Sequence, residues 1–411
     1  MTRLDDGATR LTNGKSVWQA ARPRPARVRP PVMGEVLHTD IVIIGAGITG
    51  AFLAERFTRD GHTAVLLDRR PPTQGSTSAS TAMLLWELDA SLLELEGRIG
   101  MEKAGQVAHT CRRMVGEIGA VVNQLGIACD HAPRHSLYLA GSTLDAGDLR
   151  EEKRLRDHLD IEGALLGEAD LAARGIVADA ALDYAGSAEA DPMRLALGLL
   201  AAAEARGALI LSPATATAYH TTQQGVIVET DAGSAVHARV LVLATGYEMP
   251  DFVPAARHTL ASSWSLATSP LGMTPWRDEA LVWEASDPYL YMRLTGDGRL
   301  VIGGEDEESD DPQMRERLTP QKVERLLAKA GLRCPRLDGV EAEFAWSGVF
   351  GKTDDSLPLI GRVPGRENCL AAFGYGGNGI TFSALAAEML AAELAGGRHA
   401  DADLFALDRR T

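Results

Sequence analysis

The segment that most constrains the fold is DIVIIGAGITG, at residues 40–50. Its first half is a short run of β-branched apolar residues, which is typical of a parallel strand buried on both faces. Its second half has the spacing G-x-G-x-x-G, and apolar residues at helical spacing follow it up to Gly61, a residue suited to ending a helix. A second buried strand, TAVLLD, comes next at residues 63–68. This order predicts a right-handed β-α-β unit.

The glycine loop has the context of a dinucleotide-binding site. Gly45 permits the tight turn, Gly47 lets the backbone approach a pyrophosphate, and Gly50 lets the helix pack closely on the strand. The helix N-terminus offers N–H groups and a positive dipole end to phosphates. Asp68, which ends the second strand, can accept hydrogen bonds from ribose hydroxyls. The alternative is a purely structural turn, and the motif alone does not separate NAD from FAD. The candidate loop residues are Gly45, Ala46, Gly47, Ile48, Thr49 and Gly50.

Two further segments suit an extended cofactor. GSTSASTAM, at 75–83, carries hydroxyls and small side chains that can wrap a pyrophosphate and ribitol, although an ordinary polar loop with an N-cap serine is the alternative. VLVLATGY, at 240–247, is a buried strand whose last residues let the backbone pass close to a flat ligand. With Arg69 and Ala216, the candidates are Ser76, Thr77, Ser78, Ser80, Thr81, Ala82, Met83, Ala244, Thr245 and Gly246.

A second glycine-rich loop, FGYGGNGITFS, opens an apolar helix near the end of the chain, at 373–383. A nicotinamide enzyme has no general need for such a loop. Reduced flavin carries negative charge, which N–H groups and a helix N-terminus stabilise. The late loop therefore favours FAD, with the isoalloxazine close to Gly376, Gly377, Asn378, Gly379, Ile380 and Thr381.

With these segments in place, and with DSLPLIGRVPGRENCL preceding the late loop, the chain resembles the D-amino-acid oxidase and glycine oxidase superfamily of FAD-dependent oxidoreductases. The Pro-rich N-terminus also resembles γ-glutamylputrescine-oxidase-like members. The resemblance implies FAD, and oxidation of a C–N bond by hydride transfer to flavin N5, followed by imine hydrolysis. It implies a small-molecule amine or amino-acid substrate, and O2 or another electron acceptor. A hydroxy-acid or polyol dehydrogenase, or an FAD subunit of an electron-transfer complex, remains an alternative.

The predicted fold is α/β, or α+β overall: a discontinuous doubly wound Rossmann-type FAD domain plus a mixed antiparallel-sheet substrate domain. Prolines in residues 1–37 predict an extended arm across the body, with Trp18 as its anchor. Residues 89–126 are predicted to be helical. The FAD domain is expected to comprise 38–110, 190–256 and 345–411, and the substrate domain 111–189 and 257–344.

The resemblance also implies three places where amino-acid-oxidising relatives carry a cation for the substrate carboxylate. In this chain they hold Phe350, the run 378–381, and the pair Ala82 and Met83, all of them neutral. Burying a carboxylate without a cationic partner is costly. The sequence therefore favours N-substituted amines over simple α-amino acids.

The candidate residues of the substrate site are Phe350, Tyr289, Tyr291 and Arg293. These last three alternate along one predicted strand and share a face. Arg293 is either a carboxylate clamp or an ion-pair partner of the acidic residues near 305, and the tyrosines either line the pocket or pack in the core. Weaker candidates are Glu87 for an ammonium group, His135, and Lys352 for oxygen activation. Each has a structural or solvated alternative.

Composition excludes several classes. The net charge of −15, with no basic block, argues against nucleic-acid binding. The four cysteines have no C-x-x-C spacing, so no metal site, iron–sulfur relay or disulfide framework is predicted. No apolar run reaches the roughly 20 residues of a membrane span. The N-terminus has no apolar core typical of a signal peptide. A cytoplasmic protein is expected.

Overall fold

The computed structural model describes residues 2–4, 10–253 and 258–409. Its helices are α1 (Val17–Ala20), α2 (Ile48–Arg59), α3 (Leu92–Ile99), α4 (Met101–Leu125), α5 (Ala146–His158), α6 (Glu168–Ala173), α7 (Pro192–Ala205), α8 (Pro312–Arg333), α9 (Gly379–Leu394) and α10 (Ala402–Phe405), with 3₁₀ turns at Ser76–Ala79, Arg277–Glu279, Pro335–Leu337 and Gly376–Asn378. The strands are β1 (Thr2–Arg3), β2 (Thr12–Gly14), β3 (Val36–Ile44), β4 (Ala64–Leu67), β5 (Met83–Leu84), β6 (Ala132–Leu139), β7 (Ala164–Gly167), β8 (Ala180–Glu189), β9 (Leu209–Leu211), β10 (Ala216–Thr222), β11 (Gly225–Thr230), β12 (Ala235–Leu243), β13 (His258–Pro270), β14 (Leu281–Glu284), β15 (Leu290–Leu294), β16 (Arg299–Glu307), β17 (Ala342–Thr353), β18 (Leu359–Arg362) and β19 (Cys369–Phe373).

The first sheet carries the predicted β-α-β unit. Its strand order is β1-β10-β11-β12-β3-β4-β9, with β19 parallel to β12 and followed by β18. β3 pairs in parallel with both β4 and β12, and the apolar residues at their centres are completely buried. Helices α2, α7 and α9 pack together beside this sheet. The continuous apolar runs of β3 and β4 thus behave as central parallel strands, as the sequence predicts.

The second sheet is mostly antiparallel, in the order β2-β17-β13-β16-β15-β14-β6-β8-β5, with β7 on β8. Side chains alternate across it: Trp264 and Leu266 pack in the core towards α8, where the Trp264 indole N–H donates to Arg315 O. Ser263 and Ser265, between and beside them, face the opposite side. The predicted fold class, α/β with a Rossmann-type sheet plus a mixed antiparallel sheet, is confirmed.

The N-terminal arm is more integrated than the sequence predicts. β1 pairs with β10 in the first sheet, and β2 pairs with β17 in the second. Trp18, the predicted anchor, is buried, and its Nε1 donates a 2.8 Å hydrogen bond to Ser80 O. The arm therefore joins both sheets.

Several expected boundaries fall inside observed elements. The limit at 345 cuts β17, which lies wholly in the second sheet, and the limit at 110 cuts α4. The limit at 256/257 lies outside the described residues. The segment predicted to be helical over 89–126 forms two helices, because Gly100 (φ +82°) separates α3 from α4.

The four cysteines are buried free thiols. Among the described helices, none combines the length and apolar character needed to cross a bilayer.

Candidate functional site

One continuous cleft, lined by residues of both sheets, joins all four sequence segments. The early glycine loop lies in its wall together with the Ser/Thr loop, the end of β12 and the late glycine loop. The predicted residues that line it are Gly45, Gly47, Ile48, Thr49, Asp68, Arg69, Ser76, Thr77, Ser80, Thr81, Ala82, Met83, Ala216, Ala244, Thr245, Gly246, Tyr289, Tyr291, Phe350, Gly376, Gly377, Asn378, Gly379 and Ile380.

The three glycines of the early loop have different surroundings. A Cβ on Gly45, whose φ is +112°, would lie 2.2 Å from Ala244 O, and one on Gly50 would lie 1.9 Å from Gly45 O. These two glycines are fixed by backbone packing. A Cβ on Gly47 would meet only Thr77 Oγ1, at 3.1 Å. The cleft therefore reaches the N-terminus of α2 beside Gly47, which is where a pyrophosphate would need room.

Asp68 holds the early loop in shape. Its carboxylate accepts backbone hydrogen bonds from Ala46 (2.7 Å) and Arg70 (2.8 Å). Burial raises the pKa of this carboxyl, and the two backbone donors oppose that rise. Ala46 and Gly50 are buried behind the cleft wall, and so is Ser78, whose hydroxyl donates to Gly75 O.

A partly buried ion pair near Asp68 was not foreseen from the sequence. Arg70 donates to both carboxylate oxygens of Glu248, at 2.6 and 2.8 Å, and both residues line the cleft. The pair ties the end of β4 to the turn after β12. In the sequence, the only indication of this pair was the charge of Glu248, two positions after Gly246.

The two glycine loops face one cleft because their helices are locked together. The hydroxyls of Thr49, in α2, and Ser383, in α9, are 2.8 Å apart in a buried hydrogen bond. α2 and α9 also pack against each other. The late loop thereby lies close to the early one in the wall of one cleft, although more than 300 residues separate them in sequence.

The late loop is attached to the segment after the Ser/Thr loop. Asn378 Nδ2 donates to Leu85 O (3.1 Å) and to Glu87 O (2.8 Å), and the buried Thr381 hydroxyl donates to Leu85 O (3.2 Å). Thr381 thus supports the loop from outside the cleft. The Gly377 N–H donates to Asp89 Oδ2 at 2.8 Å, and Asp89 lines the cleft, which the sequence analysis missed.

Glu87 and His135 lie away from the cleft. The Glu87 carboxylate accepts from the Ser136 and Ser187 hydroxyls and pairs with Arg156 at 3.5 Å, and burial raises its pKa. His135 Nδ1 lies 2.7 Å from Asp183. The suggested role of Glu87 in ammonium binding is therefore wrong for this geometry.

Arg293 is also turned away from the cleft, so its suggested role as a carboxylate clamp is not supported by its contacts. Its guanidinium donates to Thr81 O (2.7 Å) and Ala190 O (2.8 Å) and pairs with Glu189 at 3.3 Å. It does not pair with the acidic residues near 305, which was the alternative; instead it lies over the Trp18 ring. The cleft ends before the strand reaches Arg293.

The substrate end of the cleft is aromatic. Tyr289 and Tyr291 line it with ring centroids 5.7 Å apart, and Phe350 lies on the neighbouring wall. Lys352 stands two residues beyond Phe350, with Nζ 5.1 Å from that ring and 3.8 Å from Asp306 Oδ2. The positions where relatives carry a carboxylate-binding cation are neutral in this chain, but the partly exposed Lys352 lies near one of them, Phe350.

The shape of the cleft fits FAD. An open approach at Gly47 leads to a helix N-terminus, and the cleft continues without interruption to a second glycine-rich helix start at Gly376–Asn378. A nicotinamide dinucleotide would need only the first of these. The donor set therefore suits one elongated cofactor that reaches both loops.

Comparisons with known proteins agree. Over 380 residues the chain is 25% identical to γ-glutamylputrescine oxidoreductase of Escherichia coli, covering 89% of this chain and 85% of that one. It is 25% identical to glycine oxidase of Geobacillus kaustophilus, covering 86% of this chain and 92% of that one. The crystal structure of that glycine oxidase superposes with a TM-score of 0.78 at 20% identity, covering 91% of this chain and 100% of that one. Residues 40–393 match the FAD dependent oxidoreductase family, so the chain belongs to that family and is an oxidoreductase with FAD as its cofactor.

Proposed function

We propose that this oxidoreductase oxidises the C–N bond of an amine, and that it favours N-substituted amines over simple α-amino acids. The observation that carries the proposal is the substrate end of the cleft. Its wall is aromatic around Tyr289, Tyr291 and Phe350, and the buried Arg293 donates its hydrogen bonds elsewhere. A carboxylate at this depth would lack the bidentate partner that such groups need.

Different residues around the cleft would bind different parts of the cofactor. The N-terminus of α2 at Gly47 would take the pyrophosphate, Asp68 a ribose, and the late loop at Gly377 and Asn378 the isoalloxazine. When bound, FAD supplies a two-electron acceptor, which side chains do not provide. The protein's own contribution is to hold the amine against that acceptor and to keep water out with its aromatic wall.

The relatives support the same reaction class. Their names give a γ-glutamylputrescine oxidoreductase and a glycine oxidase, which act on nitrogen-containing compounds of two kinds. The electron acceptor is O2 or another oxidant. Four buried free thiols suit a reducing compartment, which supports a cytoplasmic location.

The test is an anaerobic titration of the FAD-loaded protein, followed by visible absorption. The panel contains N-methylated amines, D- and L-amino acids and 2-hydroxy acids. Bleaching by amines, with amino acids much weaker, is the expected result. Bleaching by hydroxy acids alone would overturn the proposal, and oxygen uptake with the best substrate would then separate an oxidase from a dehydrogenase.

A further inference from the structure

A buried carboxylate at the substrate end lacks a close cationic partner among the described residues. The Asp306 side chain is 9% exposed, and neither carboxylate oxygen has a hydrogen bond of acceptable geometry among the described residues. The nearest cation, Lys352 Nζ, is 3.8 Å from Oδ2, and the lysine side chain is 41% exposed. An under-partnered buried carboxylate is costly to a fold. Its presence therefore calls for a ligand that completes it.

The sheet aims Asp306 towards the cleft. Its neighbours along β16, Glu305 and Glu307, pair with Lys322 of α8 on the opposite face. Asp306 lies instead beside the hydroxyls of Ser263 and Tyr289, two residues that line the cleft. Burial raises the pKa of the Asp306 carboxyl to about 6, while those hydroxyls and Lys352 act to lower it.

The charge around this end of the cleft is negative. Asp89 lines the wall beside the late loop, and its charge disfavours ionisation of Asp306. Within the described part of the chain, Lys352 is the cation whose charge acts on both carboxylates, while Arg293 pairs with Glu189 and donates to backbone carbonyls. Two carboxylates against one partly solvated ammonium leave an excess negative charge. Such a site attracts a cation.

We propose that Asp306, beside Tyr289 and Ser263, is a specificity-determining residue that receives a second, protonated nitrogen of the substrate. The substrate class is then an amine that carries an additional ammonium group at some distance from the reacting nitrogen. This inference rests on the proposed amine oxidation. The alternative arrangement is that Lys352 binds a substrate carboxylate.

Three compounds with the same reacting group separate these arrangements. N-methylbutylamine ends in a methyl group, N-methyl-1,4-diaminobutane in an ammonium, and N-methyl-4-aminobutanoate in a carboxylate. Each is titrated anaerobically into FAD-loaded wild type, Asp306→Asn, Lys352→Met and the control Glu308→Gln. Glu308 is exposed on the same segment, so this control removes the same charge outside the cleft.

The expected result is that the diamine reduces the wild type at least about tenfold more effectively than N-methylbutylamine, which corresponds to about 1.4 kcal/mol. Asp306→Asn should remove this preference, while Glu308→Gln keeps it. A preference that survives Asp306→Asn overturns the proposal. A preference for the carboxylate compound that Lys352→Met abolishes also overturns it.

A binding measurement keeps this inference separate from the proposed function. tert-Butylammonium has no hydrogen on its α-carbon and is not oxidised to an imine, and pivalate is its anionic counterpart. Calorimetry should show tert-butylammonium binding to the wild type and to Glu308→Gln, and at least about tenfold weaker binding to Asp306→Asn. If no amine bleaches the flavin, the proposed function fails, and this binding difference still decides whether Asp306 forms a cation subsite. FAD content and melting temperature verify that each variant is folded.

Discussion

The hydroxyl of Thr77 accepts a 2.9 Å hydrogen bond from the backbone N–H of Ile48. One N–H at the N-terminus of α2 is therefore satisfied by the Ser/Thr loop, and that loop is held against the early glycine loop. Gly47 lies between the two, with its missing side chain directed at Thr77. The contact shapes the part of the cleft that would receive the pyrophosphate.

Gly47→Val should abolish FAD binding. The new Cβ would lie 3.1 Å from Thr77 Oγ1, and the two methyl groups beyond it would displace Thr77 or fill the approach to α2. The measurement is FAD content after purification and after reconstitution. Gly97→Val is the matched control, because Gly97 is exposed in α3 and a Cβ there meets nothing within 4 Å. A fully yellow Gly47→Val protein would refute the placement of the pyrophosphate.

Trp18→Ala should weaken both the fold and FAD retention. Trp18 is 6% exposed, bonds to Ser80 O, and lies under the Arg293 guanidinium, so its loss should cost about 3–5 kcal/mol. Ser80 belongs to the cleft wall, so we expect FAD to dissociate faster. Trp18→Phe keeps most of the packing and should cost only about 1–3 kcal/mol, mainly for the unpaired Ser80 carbonyl. Equal FAD dissociation rates in all three proteins would mean that the arm does not support the cleft.

Asp306→Asn should change stability in a pH-dependent way. The folded pKa of Asp306 is raised to about 6, so the native state binds more protons than the unfolded chain as pH rises from about 4 to 6. The wild type therefore loses stability over this range, by up to about 3 kcal/mol, and the asparagine variant does not. The variant should be the more stable protein at neutral pH, and similar to the wild type near pH 4.

Thermal unfolding of both FAD-loaded proteins across that pH range measures the effect. Among the described residues, the charged and titratable groups that interact with Asp306 are Lys352, Asp89, Tyr289 and Tyr291, and the variant leaves all four in place. A stability difference that is constant with pH would show that the Asp306 carboxyl titrates normally in the folded protein.

Phe350→Arg should shift the preference towards substrates with a carboxylate. Phe350 lines the cleft and is partly exposed, so a guanidinium can replace the ring and offer two parallel donors. We expect at least about a tenfold gain for N-methyl amino acids over N-methyl amines in anaerobic flavin reduction. Phe350→Lys adds the same charge without the bidentate fork and should gain less. If Phe350→Arg leaves the preference unchanged, this position does not contact the substrate.

The sequence by itself determined the parallel core of the first sheet and the nature of the cofactor. The apolar runs of β3 and β4, the spacing of Gly45, Gly47 and Gly50, and the position of Asp68 are local patterns, and local patterns dictate local structure. The late loop at Gly376–Asn378 favoured FAD over a nicotinamide cofactor, and the combination of segments carried the family resemblance that implies FAD. The structure agrees with these predictions because each feature depends on residues that are close together in the chain.

Only the tertiary structure decided the surroundings of the substrate. Arg293 follows the same alternation as Tyr289 and Tyr291, but the cleft ends before it. Its guanidinium forms an ion pair with Glu189, which belongs to another strand. Asp306 stands in a run of acidic residues, and only the sheet distinguishes it, because Glu305 and Glu307 pair with Lys322 while Asp306 lies beside Tyr289. Long-range packing, which sets burial and charge partners, fixed both outcomes, and no short stretch of sequence contains that information.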